Sequence, residues 1–266
     1  MRDRFRSHAL AIAGREVAAY ARQALLIRHD AEAPVLPAEA RDGDDVIVLL
    51  HGMFATAGVL RPLRDALSRH QGPAVVPPIH TAAVSYPFAQ GICAAAERLA
   101  SALSTLPSGA RLHLCGHSLG GIVCRYYALE AGDDRVVQTL SMATPFGGVP
   151  GARLLGMECA RDLEPSSSVL RRILASADGA PPHLSIVAGS DALVRSPVAH
   201  ALPGGEVRVM EGRGHSTLLF DPEVAVILLR RVLELRRAAR SSGKSGPPAG
   251  SAVPGAGEGE VPVVAA

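Results

Sequence analysis

The stretch Leu114-Cys115-Gly116-His117-Ser118-Leu119-Gly120-Gly121 decides how the chain is read. An apolar, strand-like run enters it, a segment of helical period leaves it, and the join is a Gly-x-Ser-x-Gly pattern. A serine hydroxyl is a weak nucleophile at neutral pH. A sharp strand-to-helix turn can lift it out of a sheet towards a base and towards donors for a developing oxyanion. Gly116 and Gly120 supply the small neighbours that such a turn tolerates. The pattern alone specifies little in a chain with 27 glycines, so the rest of the sequence has to supply partners for Ser118.

Outward from this turn, strand-like and helix-like segments alternate. Short apolar runs predict strands at 46–50, 81–86, 111–115, 136–142, 184–188 and 207–210. Segments of helical period fall at 59–69, 92–106, 119–131 and 222–239. Continuous β-branched runs such as Val46 to Leu50 are expected of strands buried on both faces. The alternation predicts an α/β fold with a mostly parallel central sheet and helices on both faces. A long excursion, 143–182, interrupts it after the fourth strand.

Three divisions follow. Residues 1–45 are expected to form an amphipathic helix and a linker. In the helix, Leu10, Ala13, Val17, Ala21 and Ala24 recur as an apolar stripe, with Arg15 and Arg22 on a basic side. Residues 46–240 form the main domain, and residues 241–266, rich in Gly, Pro, Ser and Ala, are expected to be a disordered tail.

Composition excludes several classes of function. The formal net charge is +2 with both signs interspersed, which argues against a nucleic-acid partner. Aromatics make up 3% and tryptophan is absent, removing the usual stacking platforms and favouring an aliphatic ligand. Cys93, Cys115, Cys124 and Cys159 lack Cys-x-x-Cys spacing and read as small buried hydrophobes. No metal-ligand spacing stands out, and the chemistry read here needs neither metal nor cofactor. Without a convincing signal peptide or membrane-length run, the expected location is cytoplasmic, with export by an unusual signal as the alternative. Residues 1–30, with their basic face, allow a peripheral membrane contact.

Nucleophilic chemistry at Ser118 requires a base, an acid to orient it and oxyanion donors. His215 lies in Gly214-His215-Ser216 between the last strand and the final helix. Asp191 follows the fifth strand through Gly189-Ser190, so both are expected at the carboxyl edge of the sheet. Glu158, Asp162 and Asp178 fall inside the excursion, and Asp221 sits at a helix start; they rank below Asp191. The Leu119 amide opens a helix, and the Met53 amide follows His51-Gly52 at the end of the first strand; these are the expected oxyanion donors. His51 and His117 are expected to order the loops by hydrogen bonding and packing.

These blocks resemble the α/β-hydrolase superfamily, in particular its bacterial lipase and esterase branch and the related GPI inositol-deacylase-like proteins. The resemblance rests on Val48 to Met53, Leu114 to Gly121, Ala143 to Gly148, Gly189-Ser190-Asp191 and Gly214-His215. It implies a serine hydrolase acting on lipid-like or aliphatic carboxylic esters through an acyl-enzyme, with Ser118, Asp191 and His215 as the triad. It also implies a cap over 146–182 and an acyl pocket near Phe54, Leu119, Phe146 and Val194. An acyltransferase or thioesterase using the same triad, or a non-catalytic membrane-associated binding protein on this frame, remain alternatives at this stage.

Overall fold

The computed structural model describes residues 2–72, 75, 77–176, 180–194 and 196–242. The expected tail lies outside them from residue 243 onward, as does Asp178. In chain order the regular elements are α1 (Arg2–Leu26), β1 (Asp45–Leu50), α2 (Arg61–Gln71), β2 (Ile79–Val84), α3 (Gly91–Leu103), β3 (Arg111–His117) and α4 (Leu119–Glu130). They continue with β4 (Val136–Met142), α5 (Glu158–Asp162), α6 (Ser168–Ala175), β5 (His183–Ala188), β6 (Glu206–Met210) and α7 (Pro222–Ser242).

The six strands form one sheet in the order β2-β1-β3-β4-β5-β6, and every neighbouring pair is parallel. Val46, Val48 and Leu50 of β1 pack in one cluster with Leu112 and Leu114 of β3, Ile92 and Leu99 of α3 and Ile122 and Val123 of α4. Ile47 and Leu49 point to the opposite side by the two-residue period of a strand, and they are buried as well. Both faces of the sheet are therefore covered, which is why β1 reads as an unbroken apolar run rather than an alternating one. Burying each Val, Ile or Leu contributes roughly 1.5–3 kcal/mol.

The order of the strands places the site. The chain leaves β1 to add β2 on one side and then returns across β1 to add β3 on the other. Successive connections thus diverge at the carboxyl ends of β1 and β3, opening a crevice where ligands bind in open α/β sheets. His51-Gly52-Met53 follows β1, and Ser118 follows β3.

Strand β2 ends at Val84, two residues before the expected end. Ser85 leaves the ladder because its hydroxyl donates to the Asp30 carbonyl (2.5 Å) and accepts from the Ala57 amide (2.8 Å). All four cysteines are free thiols; Cys115, Cys124 and Cys159 are buried as expected, but Cys93 is exposed. Among the described residues no helix is long and apolar enough to cross a membrane.

Helix α1 forms where helical period predicts it, but its orientation corrects the expected apolar stripe. Leu10 and Val17 are 73% and 68% exposed, and Ala13, Ala21 and Ala24 are exposed too. The side turned inward carries Ile12, Glu16, Ala19, Gln23 and Leu26. Two causes are visible: Ala19 is small enough to be buried, and Glu16 finds three hydrogen-bond donors on that side. Polar satisfaction, not apolar period, sets the rotation of this helix.

Candidate active site

Ser118 occupies the turn between β3 and α4 with φ 53° and ψ −121°, a conformation costly for a side-chain-bearing residue. The surroundings enforce it. The Ser118 amide donates to the Met142 carbonyl of the adjacent strand (2.8 Å), and its carbonyl accepts from the Thr144 hydroxyl (2.9 Å) and the Gly121 amide (3.1 Å). A Cβ on Gly116 would overlap the backbone of Gly120, and one on Gly120 would meet the carbonyl oxygens of His51 and Leu50. The glycines on either side of Ser118 are thus required for close approach between strand and helix.

His215 follows β6, and Asp191 follows β5. The His215 Nδ1–H donates to Asp191 Oδ2 at 2.7 Å, which leaves Nε2 as the basic nitrogen. The second carboxylate oxygen accepts the amides of Leu193 and Val194, each at 2.9 Å. Burial on its own would raise the Asp191 pKa. The hydrogen bond and charge of His215 and the two amides outweigh it, holding the carboxyl below its ordinary value. Asp191 is thereby kept as an acceptor for the imidazole N–H.

The neighbouring histidines are buried and neutral. Burial pushes His117 down to about 3, with the nearby His215 adding to the fall; its Nε2–H donates to the His215 carbonyl (3.0 Å), and the two rings meet edge to face. Burial likewise pushes His51 down to about 4. Its Nδ1–H donates to the Gly52 carbonyl (2.8 Å), its Nε2 accepts from the Tyr86 amide (3.3 Å), and its ring stacks on Tyr86. His51 thus fixes the loop that carries Met53, and His117 braces the His215 backbone.

The amides of Met53 and Leu119 have no hydrogen-bond partner among the described residues. Leu119 N–H stands in the first turn of α4, where unsatisfied donors and the helix dipole favour negative charge. Gly52 permits the Met53 loop to approach: a Cβ there would lie 3.1 Å from both Ser118 Cβ and His117 Nδ1.

A cavity of about 570 Å³ opens onto this arrangement, within the range of small-molecule sites. Ser118, His215, Met53, Phe54 and Val194 line it. Phe146 does not: it is fully buried in the core, edge-on to the His183 ring. Leu119 is also buried and faces the core cluster with its side chain, so only its amide remains relevant. Of the excursion expected to cap the site, Val149, Ala152, Leu155 and Leu163 reach the cavity, whereas Cys159, Ala160, Val169, Leu170 and Ile173 of α5 and α6 pack in the core.

Sequence reasoning missed the opposite wall. Tyr20, Gln23 and Ala24 of α1, with Ile27 just beyond it, line the cavity. Their signal was available only as an anomaly: a helix with Glu16 and Gln23 one turn-pair apart has a polar seam running through its middle.

The parallel sheet that carries Ser118 after β3, Asp191 after β5 and His215 after β6 has the fold of many solved structures. The chain has the α/β-hydrolase fold. A metagenome-derived lipolytic enzyme of the pair LipS and LipT superposes with a TM-score of 0.56 at 15% identity, covering 80% of this chain and 99% of that one. A hyperthermophilic esterase from the archaeon Pyrobaculum calidifontis gives 0.56 at 14% identity, over 87% and 94%. Tomato methylketone synthase I, in complex with β-ketoheptanoate, gives 0.52 at 15%, over 72% and 98%. No protein-family model matches the chain, and no curated protein matches it. At these identities the α/β-hydrolase fold is shared and the chemistry must be argued from the site.

Proposed function

We propose that this protein is a serine hydrolase of carboxylic esters with lipid-like or aliphatic acyl groups. The observation that carries the reading is that His215, paired with Asp191 at 2.7 Å, lines one cavity with a serine held at positive φ. In this reading Ser118 Oγ attacks the ester carbonyl carbon while His215 Nε2 takes its proton. The amides of Met53 and Leu119 donate to the oxyanion. Collapse of the tetrahedral species breaks the C–O bond, and the imidazolium returns the proton to the departing alcohol. Water, deprotonated by the same histidine, then releases the acid and regenerates Ser118.

The aliphatic lining supports an acyl substrate. Phe54 (56% exposed), Leu155 and Leu193 form an exposed apolar rim, as expected where a chain enters from a non-aqueous surface. The resemblance of the sequence blocks to those of bacterial lipases and esterases supports the same substrate class, as do the lipolytic and esterase structural neighbours.

The test uses a fluorophosphonate probe and p-nitrophenyl esters of graded chain length. Wild type is expected to be labelled at Ser118 and to hydrolyse the series; Ser118→Ala loses both. Turnover by Ser118→Ala equal to wild type would overturn the reading.

A further inference from the structure

Helix α1 reaches the loop that carries His215, most directly through Glu16. The Glu16 carboxylate accepts the Ser216 amide at 2.6 Å through Oε1, and the Thr217 amide (3.1 Å) and hydroxyl (2.6 Å) through Oε2. These donors belong to the two residues that follow His215. Gly214, on the other side of His215, packs so closely on Glu16 that any Cβ there would collide with the carboxylate. The adjacent Arg15 donates to the Gly212 carbonyl (3.2 Å), and Arg22 lies over the Phe220 ring. A half-buried carboxylate accepting several N–H and O–H groups is a directional anchor.

The far end of the helix is fixed separately, near the loop that carries Met53. Asp30 makes a two-pronged ion pair with Arg61 (2.7 and 2.8 Å), and the Thr56 hydroxyl lies 2.7 Å and 2.8 Å from the carbonyls of Ile27 and His29. Between these anchors Tyr20, Gln23, Ala24 and Ile27 face the cavity.

We propose that Glu16 is a positioning residue for His215: by holding Ser216 and Thr217 it fixes the backbone from which the imidazole reaches between Asp191 and Ser118, and it makes α1 part of the active site. Placement of a general base to within a fraction of an ångström controls rate, because the proton must move along a short, aligned path. Loss of Glu16 leaves His215 and Asp191 in the chain but releases the loop that carries the imidazole. The effect therefore falls on turnover rather than on substrate affinity.

This inference rests on the hydrolase reading, and the experiment separates the two. Wild type, Glu16→Ala, Glu16→Gln and Val17→Ser are assayed with p-nitrophenyl acetate, and the rate of fluorophosphonate labelling is measured in parallel, well below each variant's Tm and per folded molecule. Glu16→Ala is expected to lower kcat by about 10- to 100-fold with KM within threefold, and to slow labelling equally. Glu16→Gln, which keeps one acceptor oxygen, recovers part of the loss, and Val17→Ser, on the exposed side of the same helix, stays within twofold. Should Glu16→Ala fail to fold, Glu16→Gln alone carries the test. If the folded Glu16 variants label and turn over like wild type, or lose only KM, the positioning role is overturned while the hydrolase reading stands. If wild type neither labels nor turns over ester, both fall together.

Discussion

Nδ1 of His215 and Oδ2 of Asp191 are 2.7 Å apart, and the other oxygen of that carboxylate is held by the amides of Leu193 and Val194. The carboxylate is fixed from one side by backbone and from the other fixes the tautomer of the imidazole, so that Nε2 is the nitrogen left to accept a proton. Asp191→Asn keeps the shape but presents an amide that can favour the wrong tautomer. Ester turnover is expected to fall by on the order of 10³–10⁴, with circular dichroism unchanged. A loss below tenfold would move the acid role to another carboxylate.

The same contact sets a pH dependence of stability. Asp191 is held below its ordinary value in the folded protein, so the unfolded chain binds a proton more readily as the pH falls. Its contribution is fully present above the unfolded-chain value of about 4 and is lost as the pH drops through the lower folded value. In urea titrations, wild type should lose more stability between pH 5 and pH 2 than Asp191→Asn, while the variant is the less stable of the two at pH 7. Parallel curves for the two proteins would contradict this.

Strain at Ser118 gives a prediction of opposite sign for stability and activity. At φ 53° and ψ −121° a Cβ is unfavourable, and glycine is not. Ser118→Gly should therefore be more stable than Ser118→Ala by about 1 kcal/mol, both being inactive. Equal urea midpoints would mean that the turn stores no strain.

How much of this was legible beforehand follows from which forces shaped each element. Strand β1 is buried on both faces, so its apolar run is continuous, and the glycines flanking Ser118 are demanded by backbone contact; both leave marks in sequence that hardly depend on the rest of the fold. Asp191 and His215 were legible because each follows a strand of a parallel sheet, where the chain necessarily emerges on the same edge. Phe146 was not, because one aromatic residue after a strand has the same local pattern whether it turns into the core, as it does against His183, or into a cavity. Helix α1 misled for a different reason. Its apolar residues mark a stripe that stays exposed, and its rotation is decided by Glu16 meeting donors some 200 positions away in the chain, a partner that no local period encodes.

Packing at the elbow predicts a cost that a catalytic role alone would not. A Cβ on Gly120 would lie 2.5 Å from the His51 carbonyl oxygen and 2.7 Å from that of Leu50, both backbone atoms at the end of a buried strand. Neither can move without lifting β1 from β3. Gly120→Ala should destabilise by about 1–3 kcal/mol in urea unfolding and displace Ser118 as α4 shifts, lowering turnover as well. A variant with wild-type stability would show that the α4 start has room that the geometry denies.

The wall formed by α1 makes acyl-chain length the property most open to redesign. Ala24 is exposed yet lines the cavity, so a larger side chain there takes up space at the mouth without disturbing the Glu16 contacts one face away. Ala24→Phe is expected to leave kcat/KM for p-nitrophenyl acetate within about threefold, because the two-carbon acyl group stays beside Ser118. For a long-chain ester the same variant should lose roughly tenfold, the scale of one or two misfitted methylenes in an apolar pocket. The ratio of the two rates is the measurement. A uniform loss on both esters would show that α1 influences only the fold, and no change on either ester would place the acyl chain along Val149 and Leu155 on the opposite wall.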